Sequence, residues 1–175
     1  DDIAAAECAI DYLIENGHQE IGIVGGDIDK SHTSAQRYEG CIRSFKKHHL
    51  TYDPASSYGR ARFSFEDSYR AMGELLKKNQ KLTAVFAMSD VMAIGAIRAL
   101  KDHGCDVPKD ISVIGFDGIT LADYYNPKLA TIKQQYKLLA KRSMEILMYQ
   151  IEFKRAAVHE VIPFELVAGE SVGRL

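Results

Sequence analysis

The chain of 175 residues has no tryptophan, four prolines and three cysteines, and its formal net charge is only −2. Each scarcity excludes something. Three cysteines, Cys8, Cys41 and Cys105, form no C-x-x-C pair and cannot make a disulfide framework, so free thiols in a reducing compartment are expected. A near-neutral balance gives no global basic field to recruit nucleic acid. No stretch approaches the roughly 18 apolar residues of a membrane span, and no signal peptide is visible. The six histidines, His18, His32, His48, His49, His103 and His159, have no partners at metal-site spacing. No G-x-S-x-G elbow and no G-x-G-x-x-G fingerprint occurs. Gly25-Gly26-Asp27-Ile28-Asp29-Lys30-Ser31 resembles a phosphate loop, but Asp29 stands where glycine must precede lysine, and its two acids would repel phosphate. No cofactor, metal or catalytic role follows from these residues.

What remains is ordinary for a globular domain: 46% hydrophobic and 26% charged residues. Its order is informative. Ile3–Glu15 has helical spacing and closes at Asn16-Gly17. Ile21-Gly-Ile-Val-Gly-Gly reads as a short buried strand. After a polar loop, Thr33 or Ser34 can cap a helix from Ala35 to His49. Tyr52–Phe63 holds a weak strand. Ser64-Phe-Glu-Asp67 has capping-box spacing and opens a helix through Lys78. Thr83–Asp117 is a strand–helix–strand unit whose strands end in polar groups, Ser89-Asp90 and Asp117. Ala130–Gln134 is extended, Tyr136–Phe153 is a long helix, and Val161–Val167 is a last strand whose Pro163 argues for an edge. Strands alternating with helices imply an α/β fold with a doubly wound parallel sheet. Ligands of such sheets bind outside the carboxyl ends of the strands. The rim there collects Asp27, Asp29, Arg37, Ser89, Asp90 and Asp117.

Each rim residue has two readings. Arg37, in the first turns of a helix, can fork onto hydroxyls or a carboxylate, or can pair with Asp27 or Asp29 at the surface. Asp117 can accept ligand hydroxyls, or form a turn before a glycine. Ser89 and Asp90 can meet a ligand, or cap the following helix. Phe63 can stack on a ring, or belong to the core. Because Arg37 and Asp117 lie at the rim, their replacement is expected to spare folding.

One set of motifs is Gly17-His18-Gln-Glu-Ile21-Gly-Ile-Val-Gly, Arg37-Tyr-Glu-Gly40 and Ser89-Asp90-Val-Met92-Ala93-Ile-Gly95-Ala. A second is Val107-Pro108-Lys-Asp110-Ile-Ser-Val-Ile-Gly115-Phe116-Asp117, Leu129-Ala-Thr131-Ile-Lys-Gln134 and Glu165-Leu-Val-Ala-Gly-Glu170-Ser171. Together they resemble the motifs of the lac/galactose-repressor family of bacterial transcription regulators, with Gly169 where that family usually has arginine. The match covers nearly the whole chain. It implies a periplasmic-binding-protein-like sensor with an effector in the cleft between two subdomains. Nothing matches the family's DNA-reading helix-turn-helix headpiece or the first strands of its N-terminal subdomain. The chain is therefore expected to be a piece of a longer repressor. On that reading residues 1–130 form the C-terminal effector-binding subdomain. Residues 131–158 are the crossover and helix of the N-terminal subdomain, and 159–175 the return strand and tail.

By resemblance, Arg37, Phe63, Ser89, Asp117 and Gln134 line the effector site. Ser89 replaces the family's asparagine and gives up about one hydrogen bond. Ile94, Ile97 and Arg98, at helical spacing, fall with Tyr124 and Tyr125 where family members dimerise; Ile94 and Ile97 are equally readable as core. The implied partners are a small-molecule effector (a sugar or sugar derivative), a second copy, and operator DNA through the headpiece alone, in the cytoplasm and without a membrane. A sugar-binding protein of a transport or chemotaxis system is the alternative, and a nucleotide-dependent α/β enzyme a third. The helix Tyr136–Phe153, deprived of its own sheet, is expected to fold back, swap or pack on a second copy.

Overall fold

The computed structural model describes residues 1–153, 156 and 158–175. Residues 154, 155 and 157, inside the segment assigned to the crossover, lie outside the described residues. The elements run α1 (Asp2–Glu15), β1 (Ile21–Gly25), α2 (His32–Lys47), α3 (Pro54–Ser57), β2 (Tyr58–Arg60), α4 (Phe65–Lys78) and β3 (Ala84–Ala87). They continue with α5 (Asp90–Asp102), β4 (Ser112–Asp117), α6 (Thr120–Tyr124), β5 (Ala130–Gln134), α7 (Tyr136–Phe153) and β6 (Phe164–Val167). The six strands form one sheet in the order β2-β1-β3-β4-β5-β6. All neighbours are parallel except β5 and β6.

Every residue of β1 and β3 is buried, which requires cover on both faces of the sheet. Two helix pairs supply it: α1 packs on α2, and α4 on α5. Gly40 permits the first of these contacts. A side chain there would run into the Ile3 carbonyl and Ala6 on α1, which gives the Arg37-Tyr-Glu-Gly40 motif a packing reason.

Local chemistry sets the helix starts. The Ser64 hydroxyl accepts from the Asp67 amide and the Ser89 hydroxyl from the Met92 amide, both at 3.2 Å. The cap of α2 departs from the sequence reading. Ser31, not Thr33 or Ser34, accepts the Ser34 amide at 3.2 Å, so the helix begins earlier than expected. The weak strand of 52–63 contracts to Tyr58–Arg60, because Asp53 caps a one-turn helix at Pro54. At the other edge β6 begins just after Pro163, which has no amide to give a ladder.

Helix α7 has the expected bounds but does not fold back onto the sheet. None of its residues is buried, and Leu138, Leu139, Met144, Leu147, Met148 and Ile151 are exposed.

Candidate functional site

The strand order reverses at β1: the chain goes from β1 outward to β2, then returns past it to β3. The loops after β1 and β3 therefore diverge, and a crevice opens at their carboxyl ends. Arg37 spans it. From the second turn of α2, its Nη1 donates to the Met88 carbonyl at the end of β3. Its Nε donates to Asp2 Oδ1 at 2.7 Å, and its Nη2 lies 3.6 Å from Asp117 Oδ1 at the end of β4. The guanidinium carbon sits 3.7 Å from the centre of the Phe116 ring. Arg37 is only 5% exposed.

The surface ion pair with Asp27 or Asp29 is thus not formed. Asp27 instead pairs with Arg60 and Lys30 and accepts the Asp29 amide. Nothing in the spacing identified Asp2, 35 residues before Arg37, as its partner. The packing of α1 on α2 brings the two together.

Asp117 has an unusual backbone, with φ at +110°. Its Oδ1 accepts from Gln134 Nε2 at 2.9 Å, which ties β4 to β5. Its Oδ2 has no protein hydrogen bond among the described residues, and the side chain is 35% exposed. Burial raises the Asp117 carboxyl above its usual range, against the pull of Arg37 and the Gln134 amide. The cluster therefore presents one half-open acceptor, Asp117, held from behind by a buried cation and from the side by an amide.

Ser89 is buried, and its hydroxyl oxygen accepts the Met92 amide at the α5 cap. Its hydroxyl proton remains available to an acceptor in the crevice. Asp90 is wholly buried; its oxygens accept from the Thr131 hydroxyl at 2.6 Å and the Ile119 amide at 2.8 Å. Burial pushes its carboxyl up to about 6, with the Asp117 charge adding to the rise.

Phe63 is 46% exposed and is not core. It stands against Gly26 at the end of β1 and lines a cavity of about 870 Å³ between β2 and α4, with Tyr58, Arg60 and Arg62. A smaller cavity of about 220 Å³ reaches Gln134, Phe116 and Asp2 from the side of α7. Asp117 meets both Arg37 and Gln134, Ser89 follows the Met88 carbonyl that Arg37 holds, and Phe63 lines the separate cavity beside β2.

The predicted assembly residues divide. Ile94, Arg98 and Tyr125 line one cavity of about 540 Å³ with Phe65 and Tyr69. Tyr124 beside it is 82% exposed. Ile97 does not reach this face. It is fully buried, because its side of α5 is turned toward the sheet.

Among the described residues no cluster of His, Cys, Asp or Glu could hold a metal ion, and no helix is long and apolar enough to cross a membrane.

The family model of the periplasmic binding protein-like domain matches residues 10–172. The HTH-type transcriptional repressor PurR of Pasteurella multocida is 40% identical over 166 residues, covering 94% of this chain and 49% of the relative. The chain spans about half the length of the curated relatives it matches. Among solved structures, the transcriptional regulator CelR in complex with cellobiose superposes with a TM-score of 0.93 at 28% identity, covering 98% of this chain and 52% of that one. A LacI-family transcriptional regulator from Enterococcus faecium with bound ribose gives 0.91 at 29% identity, covering 100% and 64%. The resemblance carried by the sequence motifs is thereby borne out.

Proposed function

The chain belongs to the periplasmic binding protein-like domain family, and we propose that it is the effector-sensing part of a bacterial transcriptional repressor. One observation carries the reading. A buried Arg37 bridges the switch-point crevice and holds Asp117, whose second carboxylate oxygen has no protein hydrogen bond among the described residues. Such an acceptor suits the hydroxyls of a sugar, and Phe63 on the β1 side offers a ring face to stack on it. The two structural relatives above hold cellobiose and ribose, which supports a sugar or sugar derivative as effector.

On this reading residues 1–130 and 159–175 form one wall of the cleft; of the crossover 131–158, strand β5 stays in the sheet of that wall, paired with β4 and β6, and helix α7 belongs to the opposite subdomain. The exposed stripe of α7 is then the face that packs in that subdomain. The face of Ile94, Arg98 and Tyr125 joins two copies. Operator DNA is read through a helix-turn-helix outside this sequence, so the protein works in the cytoplasm. It is a binding module rather than an enzyme, with no cofactor. The repressor and regulator names of the relatives favour this over a transport or chemotaxis protein.

The test is thermal unfolding of the natural gene product with a panel of ribose, cellobiose, other sugars, sugar phosphates and purines. A bound effector at one hundred times its Kd stabilises by roughly 2.7 kcal/mol. The expected result is stabilisation by a polyhydroxy compound that Asp117→Ala removes. Stabilisation that persists undiminished in Asp117→Ala would overturn the site.

A further inference from the structure

Asp90 is the first residue of α5 and wholly buried, yet its carboxylate does not cap the helix. Ser89 does that. The two Asp90 oxygens turn outward to two other elements. Oδ1 accepts from the Thr131 hydroxyl on β5 at 2.6 Å, and Oδ2 accepts from the Ile119 amide at 2.8 Å. Ile119 lies two residues past Asp117. Between strand and amide the backbone passes through two consecutive left-handed residues, Asp117 at φ +110° and Gly118 at φ +71°. A non-glycine residue persists in that region only where its surroundings hold it. The strand is built to admit the carboxylate: a side chain at Gly115 would collide with Asp90 Oδ1, and would also crowd Leu129 and Ala93.

We propose that Asp90 is the positioning residue of the effector wall, clamping the 117–119 turn to β5 and so fixing the direction of the Asp117 carboxylate. The proposal rests on Asp117 as an effector contact, but its test needs no effector. The charged groups around the clamp are few. Asp117 faces it from the end of β4, Arg37 on α2 and Asp2 on α1 act on Asp117 from behind, and Lys133 on β5 packs along Gly118. With its carboxyl raised to about 6, the clamp changes protonation between about pH 5 and 7, and the turn it holds must register the change.

The experiment is nuclear magnetic resonance on the 175-residue chain and its Asp90→Asn, Asp90→Ala and Thr131→Val variants. It follows hydrogen exchange and chemical shift at the Ile119 amide and the backbone coupling of Asp117. In Asp90→Ala the Ile119 amide should exchange about ten-fold faster, as one lost charge-assisted bond implies. The Asp117 coupling should move toward a flexible value, while β3 amides stay protected. Asp90→Asn, which keeps an acceptor for Ile119 and a donor for Thr131, should restore both readouts. The wild-type Ile119 shift should titrate with a midpoint near the Asp90 value, and Asp90→Asn should abolish that titration.

Wild-type exchange and coupling in folded Asp90→Ala would overturn the proposal. Should that variant not fold, the same result in Thr131→Val would do so. If it fails while a sugar still binds at Asp117, only the positioning role falls. If the clamp behaves as described and no ligand uses Asp117, the effector reading falls instead.

Discussion

Arg37 Nη2 lies 3.6 Å from Asp117 Oδ1, and the two side chains differ sharply in exposure, 6% against 35%. The pair thus divides its labour. Arg37 is an internal cation that also serves Asp2 and the Met88 carbonyl, and Asp117 is the member that a ligand can reach.

The expectation that replacing either residue spares folding rests on both side chains lying at the rim, which is true of Asp117 and not of the buried Arg37. Arg37→Ala leaves Asp2, Asp117 and a buried carbonyl without their cation, and should cost about 3 kcal/mol of stability. Asp117→Ala removes a half-exposed partner and should cost about 1 kcal/mol or less. It should weaken effector binding by roughly 1.5–3 kcal/mol. Urea unfolding separates the two; equal stability losses would contradict this division.

Asp90 gives stability a pH dependence of definite sign. Its carboxyl is raised to about 6, whereas the unfolded chain restores the ordinary aspartate value of 3.8. Between these values the folded state holds the extra proton. The stability contributed is complete below about pH 4 and is lost as pH rises through about 6, amounting to about 3 kcal/mol. Asp117, also raised, adds the same sign. Asp11 and Asp67 are lowered and act in the opposite sense, as pH falls below about 4. Unfolding of wild type and Asp90→Asn from pH 4 to 7 isolates the effect. Wild type should lose stability relative to the variant, and parallel curves would refute it.

The face around Ile94 makes a separate claim. Ile94 is 8% exposed at the mouth of a cavity lined by Phe65, Tyr69, Arg98 and Tyr125. A carboxylate there would be carried into a two-fold contact by both copies at once. Ile94→Asp should sediment as folded monomer where the parent sediments as dimer. A dimer that survives in the folded variant would place the interface elsewhere.

Much of the fold was legible because its signals are local. Alternation of apolar runs with helical spacing gave the doubly wound sheet, the capping box at Ser64 marked α4, and Pro163 marked the edge strand. The start of α2 was misread because Ser31, Thr33 and Ser34 are all competent caps, and spacing alone does not choose among them. The site was half legible. Strand ends pointed to Arg37, Ser89, Asp90 and Asp117, and the family motifs added Phe63 and Gln134. The bonds between them were not legible, because they join distant segments: Asp2 to Arg37, Thr131 to Asp90, and Gln134 to Asp117. Ile97 shows the limit of periodicity. A stripe at i, i+3, i+4 does not say whether it faces the sheet or a second copy.

The most direct test of the effector wall is amide chemical-shift mapping of the chain titrated with ribose, cellobiose and related sugars. One wall of a cleft binds weakly, so millimolar ligand is required, at about 4 kcal/mol of binding free energy. Shifts should concentrate at Asp117, Gly118, Gln134, Ser89 and Phe63, and Asp117→Ala should abolish them. Saturable shifts confined to the cavity of Arg60, Arg62 and Asp67, with Asp117 and Gln134 unmoved, would contradict the account.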